Sequence, residues 1–258
     1  MAAGRIVIAG LGIRGPEQVT PEVARALRES DVVFHSVAHE VTRQWIESLV
    51  PRSHDLNLLY RDGEQRIGTY RAMAAAVVDA ASVGATVAFV VYGHPCMLHT
   101  GVQLAIRLAA ERSLPVRMLP GLSSIDGLLA AVGVDFGFGG LHVLEASDLV
   151  MHGRMPQTEA HLVILQVALT GPRVHRAQGH RGDYADYLIR RLRTLYPPGH
   201  AALHFRLASS ASDDDALVWT TVEGLHAQAW TNASSLYLPP ARTSRVDPLY
   251  AQRFDPRE

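Results

Sequence analysis

AFVVYGHPCMLHTGVQLAIRLAAERSLPVRMLPGLSSID, residues 88–126, decides how this chain folds. An apolar run at 87–91 stops abruptly at Tyr92-Gly93-His94-Pro95. A helix-like run follows, and then a short apolar segment at 116–119 stops at Pro120-Gly121-Leu122-Ser123-Ser124. Two strands that each break into a tight turn, with a helix between them, form a βαβ unit. Open α/β sheets hold their ligands at such strand-end turns. Tyr92-Gly93-His94 offers an aromatic face and an imidazole rather than a cradle for phosphate. That combination suits a flat heterocycle or a sulfonium cation, which a tyrosine ring attracts through its π face.

Outward from this unit the same pattern repeats. Residues 6–9 read as a buried strand, followed by a glycine turn and by Thr20-Pro21-Glu22, an N-cap with proline at the first helical position. A second strand is expected at 31–34, a helix at 38–50, a polar irregular stretch at 51–68 and a long helix at 69–83 closed by Gly84. A further helix is expected near 124–132, and the glycine-rich 133–140 closes the first half. The second half offers strands at 162–167, 201–207, 217–222 and 235–238 and an amphipathic helix at 183–195, with a Pro- and Arg-containing tail of low order at 239–258. The first half predicts a mostly parallel sheet and the second a more mixed one. The expected division is an α/β domain over residues 1–120, a second over 121–240 and a tail over 241–258.

Bulk properties narrow the function. The 258 residues allow one large domain or two modest ones, and a formal net charge of -1 gives no general attraction to nucleic acid or acidic membranes. All the basic side chains are arginine, which fits a compositional bias of the encoding genome better than a phosphate-binding role. The lone Cys96 cannot form an internal disulfide, which points to a reducing, cytoplasmic setting. It reads as a small apolar filler rather than a nucleophile. A strand pattern begins at once, so no signal peptide is expected, and no apolar run reaches membrane-spanning length. His35 and His39, like His94 and His99, lack a common helix and a third ligand, so no metal is expected.

Gly10-x-Gly12-x-x-Gly15 follows a strand and formally matches a dinucleotide fingerprint. Pro16 removes an amide right after it, the helix waits until Pro21, and the acidic Asp31 falls at the start of the next strand rather than its end. The cluster therefore does not suit a nicotinamide or flavin cofactor.

The turns at 120–124, Gln166-Val167-Ala168 and Asn232-Ala233-Ser234-Ser235-Leu236-Tyr237 also sit at strand ends or starts. With the glycine turn after the first strand, they resemble the tetrapyrrole-methylase superfamily over nearly the whole chain. Within it, Tyr92-Gly93-His94-Pro95, where most members carry an acidic "G-D-P" turn, resembles the borosin-type peptide backbone α-N-methyltransferases. Leu59-Tyr60, Arg66 and Thr69-Tyr70 resemble that group's "Y…R…D-T-Y" segment. Glu145-Ala146-Ser147 resembles its "E-A-S", Gln166 begins a "Q-I-G"-like turn, and Ser234-Ser235-Leu236-Tyr237-Leu238-Pro239-Pro240 is similar to its ending. The chain departs from the pattern at Cys96-Met97 in place of "G-V", at Gly68 in place of Asp, and at Asn57, where a further Tyr can occur.

The resemblance implies a two-domain α/β, class III methyltransferase fold with S-adenosylmethionine in the interdomain cleft. It implies cofactor contacts from Tyr92, His94, Met97, Ser124, Gln166, Leu207, Ser234 and Ser235, and chemistry at Tyr60, Arg66 and Tyr70. It also implies a homodimer and a ribosomal precursor peptide as substrate. Residues 241–258 hold no apolar core-peptide run, so a separate peptide methylated in trans is expected. An amide nitrogen is a poor nucleophile because its lone pair is delocalised. Its methylation calls for a base and for a group that holds the imidate oxygen. Tyr70 reads as the base, Arg66 as its activator or as the imidate holder, and Tyr60 as the residue that positions the peptide. Two other readings stay open: a tetrapyrrole C-methyltransferase of corrinoid or sirohaem synthesis, and a non-catalytic module that binds S-adenosylmethionine.

Overall fold

The structure, a computed structural model, describes residues 4–37, 39–171, 173–175, 183–210 and 212–254. It comprises two compact units. One is Met1–Gly133 with Pro172–Gly179 and Leu207–Ala216, and the other is Val134–Gly171 with His180–Arg206 and Leu217–Glu258.

The first unit holds β1 (Arg5–Gly10), β2 (Val32–Ser36), β3 (Ser53–Asp55), β4 (Thr86–Val91) and β5 (Val116–Leu119), in the order β3-β2-β4-β1-β5. Every pairing is parallel. The central strands are covered on both faces, which explains their uninterrupted apolar runs. On one face α1 (Pro21–Arg28) and α2 (Glu40–Leu49) bury Val23, Leu27 and Ile46 against Val7, Ala9, Val33 and Val90. On the other, α3 (Arg66–Ser82) and α4 (Thr100–Glu111) bury Met73, Val77, Val102 and Ala105 against Ile6, Ile8, Phe89 and Val91. Thr20 caps α1 by accepting the Val23 amide, as its sequence promised. The helix α5 (Ser124–Val132) opens on a capping box between Ser123 and Asp126 and closes on left-handed Gly133.

The second unit holds β6 (Leu141–Glu145), β7 (His161–Leu165), β8 (Ala201–Arg206), β9 (Ala216–Thr221) and β10 (Ser235–Leu238), ordered β6-β7-β10-β8-β9. β6 runs parallel to β7, while β10 is antiparallel to both β7 and β8. This is the mixed sheet the sequence indicated. The helices α6 (Ala146–Met151) and α7 (Asp183–Arg193) bury Leu149, Leu188 and Leu192 against Leu162, Ile164 and Leu236.

Four local differences from the sequence reading matter for the site. The helix α3 begins at Arg66 rather than 69, and the stretch before it contains β3 and a 3-10 turn, Leu56–Leu59. β6 and α6 occupy 141–151, where no element was expected. β7 stops at Leu165 because Gln166 turns left-handed. The tail carries a short helix, α8 (Pro248–Arg253), capped by Asp247.

Candidate active site

Three glycines meet where β1, β4 and β5 end. A Cβ on Gly121 would lie 2.5 Å from the Gly93 carbonyl oxygen and 2.7 Å from the Gly10 Cα, and one on Gly10 would also run into that carbonyl. Gly93 donates its amide to the Gly12 carbonyl at 2.9 Å, and Leu11 donates to the Val91 carbonyl at 2.9 Å. The Tyr92-Gly93-His94-Pro95 turn is therefore locked to its neighbours by backbone contacts that only glycine permits.

From this junction the cofactor-binding candidates of the first unit project. Tyr92 is half-buried, and burial pushes its phenol pKa up, so the ring stays neutral. The Cys96 amide donates to His94 Nδ1 at 3.1 Å, which leaves Nε2 as the ring nitrogen able to donate. Met97 is half-buried in the same turn. Gly93 itself is buried at φ 70°, and a Cβ there would be in ordinary contact with the Ile13 Cδ1, at 3.5 Å, and the Leu122 carbonyl, at 3.9 Å. Ser124, the first residue of α5, leaves the capping box to Ser123. A cavity of about 390 Å³ lies beside it, walled by Ile13, Leu122, Gly127 and Leu207 and edged by Gln18, Asp126 and the Arg14–Asp215 ion pair (3.1 Å). Leu207 presses on Gly127, where a side chain would displace it. An aromatic face, an imidazole, hydroxyls and an apolar wall are the kinds of group that suit an adenosyl sulfonium; of the candidates, Leu207 lines this cavity.

Tyr60, Arg66 and Tyr70 come together around the start of α3. Arg66 and Tyr70 stand four residues apart on one helix, so they share a face, and the helix runs straight through Gly68. The Tyr60 and Tyr70 rings meet edge to face at 6.3 Å. Both pack on the core between α3, α4 and the sheet and stay only half-buried. Burial pushes the Tyr60 phenol pKa far up, the neighbouring Tyr70 adds to this, and Arg66 opposes it. Tyr60 is therefore a neutral hydroxyl, fit to donate a hydrogen bond and unfit to serve as a base.

Asn57 holds this corner in place. It donates to the Val37 carbonyl at 2.7 Å, receives the Ser36 hydroxyl at 3.0 Å, and accepts the Tyr60 amide on its own carbonyl at 3.1 Å. The sequence reading missed His175, whose ring stacks on Tyr60 with centroids 4.6 Å apart. Residues 173–175 reach the site from beyond position 170, and a lone histidine in an irregular segment gives no sequence signal.

In the second unit Gln166, Ser234 and Ser235 are brought together. Gln166 is half-buried and sits at φ 59°, ψ 42°. A non-glycine residue held there is strained, a state often found at ligand-binding turns. The Val167 amide donates to the Ser234 carbonyl at 3.2 Å. Ser234 is fully buried; its hydroxyl meets His204 Nε2 and accepts the Thr231 amide, both at 2.9 Å. Ser235 is buried in β10 opposite Phe205. Among the described residues no group of three His, Cys, Asp or Glu is placed to hold a metal, and no helix is long and apolar enough to cross a membrane.

Residues 5–224 match the family of Tetrapyrrole (Corrin/Porphyrin) Methylases. The chain belongs to that family. It is thus a member of a family described as methylases. The fold agrees with this membership. Uroporphyrin-III-C-methyltransferase from Thermus thermophilus superposes with a TM-score of 0.67, covering 93% of each chain at 19% identity. A second structure of that enzyme, complexed with S-adenyl homocysteine, gives a TM-score of 0.63 over 92% of this chain and 98% of that one, at 19% identity. Among sequence relatives, a methyltransferase/ribosomally synthesized type III borosin cyclic peptide precursor of Anomoporia bombycina is 33% identical over 93% of this chain and 28% of its own length. A type I borosin precursor of Coprinopsis marcescibilis is 29% identical over 94% of this chain and 63% of its own length. This tetrapyrrole methylase thus spans only part of the curated relatives it matches.

Proposed function

We propose that this tetrapyrrole methylase transfers methyl groups to backbone amide nitrogens of a ribosomal precursor peptide supplied in trans. The observation that carries the reading is the cluster of Tyr60, Arg66 and Tyr70 at the head of α3, in a chain whose sequence relatives are named borosin precursors. The cofactor contacts in this reading are Tyr92, His94, Met97, Ser124, Leu207, Gln166, Ser234 and Ser235. Ser234 acts there through the backbone turn it fixes, since its hydroxyl is already taken.

Bound S-adenosylmethionine supplies an electrophilic methyl group on a sulfonium, which becomes a neutral thioether when that group leaves. The chain's own residues deal with the amide. Tyr70 takes the amide proton as the nitrogen lone pair becomes available. Arg66 and the Tyr60 hydroxyl hold the carbonyl oxygen as it gains imidate character, a charge that preorganised donors stabilise. A homodimer is part of this reading, and the free Cys96 fits a reducing cytoplasm.

The test is intact-mass spectrometry of the protein co-expressed with each short open reading frame beside its gene. A ladder of methyl-for-hydrogen increments on one peptide, mapped by fragmentation to backbone amides, is the expected result. No increment on any peptide, alongside measured cofactor binding, would move the substrate to a tetrapyrrole or leave the chain as a binding module.

A further inference from the structure

Resting on the peptide-methylation reading, we propose that His175 is a positioning residue of the active site: it holds the Tyr60 ring in its working orientation by stacking on its face. Residues 173–175 form a short backbone ladder with the loop that joins Tyr60 to α3. Gly63 donates to the His175 carbonyl at 2.9 Å, His175 donates to the Glu64 carbonyl at 2.8 Å, and Arg66 donates to the Arg173 carbonyl at 3.0 Å. Gln65 and Val174 pair as an isolated antiparallel bridge. The last of the three hydrogen bonds satisfies the amide of the first residue of α3, which has no partner within its own helix. The segment therefore caps the helix that carries Arg66 and Tyr70 and also delivers His175 to Tyr60.

Two ring contacts then define where Tyr60 points. Tyr70 meets it in a perpendicular arrangement at 6.3 Å with planes 87° apart, and His175 stacks on its face at 4.6 Å with planes 28° apart. A tyrosine side chain has two soft torsions; the second leaves the hydroxyl oxygen in place but sets the ring plane, in which the phenol O–H prefers to lie, and a perpendicular contact alone leaves that plane free to turn. A face contact removes that freedom. A neutral donor to a developing imidate oxygen is effective only if its O–H is already aimed, so ordering the ring raises turnover rather than cofactor affinity. The requirement is for a flat ring, not for an imidazole proton. His175→Phe therefore keeps the function that His175→Ala loses.

The experiment uses the full chain and two readouts. In the first, 3-fluorotyrosine is incorporated, the Tyr60 fluorine resonance is assigned with Tyr60→Phe, and no substrate is needed. His175→Ala is expected to shift and broaden that resonance, while His175→Phe keeps it narrow. In the second, with the peptide that co-expression shows to be methylated, His175→Ala lowers kcat by about tenfold or more with little change in the Kd for S-adenosylhomocysteine, and His175→Phe stays within about threefold of the parent. Thermal melts of both variants exclude unfolding as the cause. An unchanged Tyr60 resonance in His175→Ala overturns the proposal whether or not any peptide is methylated. A folded His175→Phe as slow as His175→Ala overturns it too, since imidazole chemistry would then be what counts. If the parent methylates no peptide, the peptide reading fails on its own and the fluorine measurement still judges the stack.

Discussion

Replacing Gly121 by alanine tests whether the glycine junction is what positions the cofactor turn. The new Cβ would sit 2.5 Å from the Gly93 carbonyl oxygen. Ordinary contact begins roughly 0.9 Å further out, and the obstructing atom is backbone rather than the tip of a flexible side chain. Overpacking of this kind costs about 1–3 kcal/mol, and the upper end applies here because the turn after β5 would have to move off the ends of β1 and β4 to relieve it. For a chain of this size about 3 kcal/mol lowers Tm by roughly 6–12 °C. The same displacement moves Tyr92 and His94, so the Kd for S-adenosylhomocysteine should weaken by at least about tenfold, some 1.4 kcal/mol. The assays are a thermal melt and titration calorimetry, run beside Gly68→Ala, whose Cβ would meet nothing within 4 Å. If Gly121→Ala melts within about 1 °C of the parent and binds the cofactor product equally well, the junction has slack and the reasoning is wrong.

Other expectations follow from the same geometry. Tyr70→Phe should lose about 10²–10⁴ in the rate of methyl transfer with cofactor affinity intact, and Tyr60→Phe about tenfold; near-full activity in Tyr70→Phe, measured in single turnover, would exclude phenolate chemistry. Gly68→Ala should stabilise by about 0.5–1 kcal/mol in urea unfolding, because Gly68 spends helix propensity in open space; a loss of stability would mean that the start of α3 needs its glycine. Gln166→Gly should raise stability by about 0.5–1 kcal/mol by relieving its left-handed backbone while weakening cofactor binding; unchanged binding would remove Gln166 from the site. Burial holds the His99 pKa down to about 4 and that of buried His35 below its ordinary value. An unfolded histidine binds its proton near about 6.5, so between there and about 4 the unfolded chain carries more protons. Stability should therefore fall as pH drops through that window, and a flat urea midpoint across it would contradict the burial argument.

How much of this was legible in the sequence depends on how far each feature reaches along the chain. The first unit's central strands β1 and β4 were readable because both of their faces are covered, which writes unbroken apolar runs at 6–9 and 87–91. The cap at Thr20 was readable because it acts within three residues. β6 and α6 were not, since Leu-His-Val-Leu-Glu alternates only loosely and none of its residues is fully buried. The Tyr60, Arg66 and Tyr70 cluster was half legible: helical spacing joins the last two, but only the chain reversal through Gly63 brings Tyr60 to them. His175 was illegible, because its place depends on a ladder between residues more than a hundred positions apart. Gln166 could be named but its left-handed backbone could not, because no local residue forces it; the Ser234 carbonyl, which receives the next amide, fixes that turn from a distant strand.

The glycine cluster after β1 shows why a motif has to be judged by what its backbone is free to do. Gly10, Gly12 and Gly15 stand at the spacing of a dinucleotide loop, whose amides must face a pyrophosphate. Here the amides of Ile13 and Arg14 both donate to Gln18 Oε1, at 2.7 and 3.0 Å. A Cβ on Gly12 would lie 2.5 Å from the Gln18 Cβ, and one on Gly15 would strike the Thr42 hydroxyl. Gly10 makes room for the Gly93 carbonyl. Each glycine is thus accounted for by packing, and the donors that a phosphate would need are already spent inside the loop. With that loop closed on itself, the ligand candidate left at this edge is the turn after β4. Its chemistry, a phenol face and an imidazole donor, suits an adenosyl sulfonium and not a diphosphate.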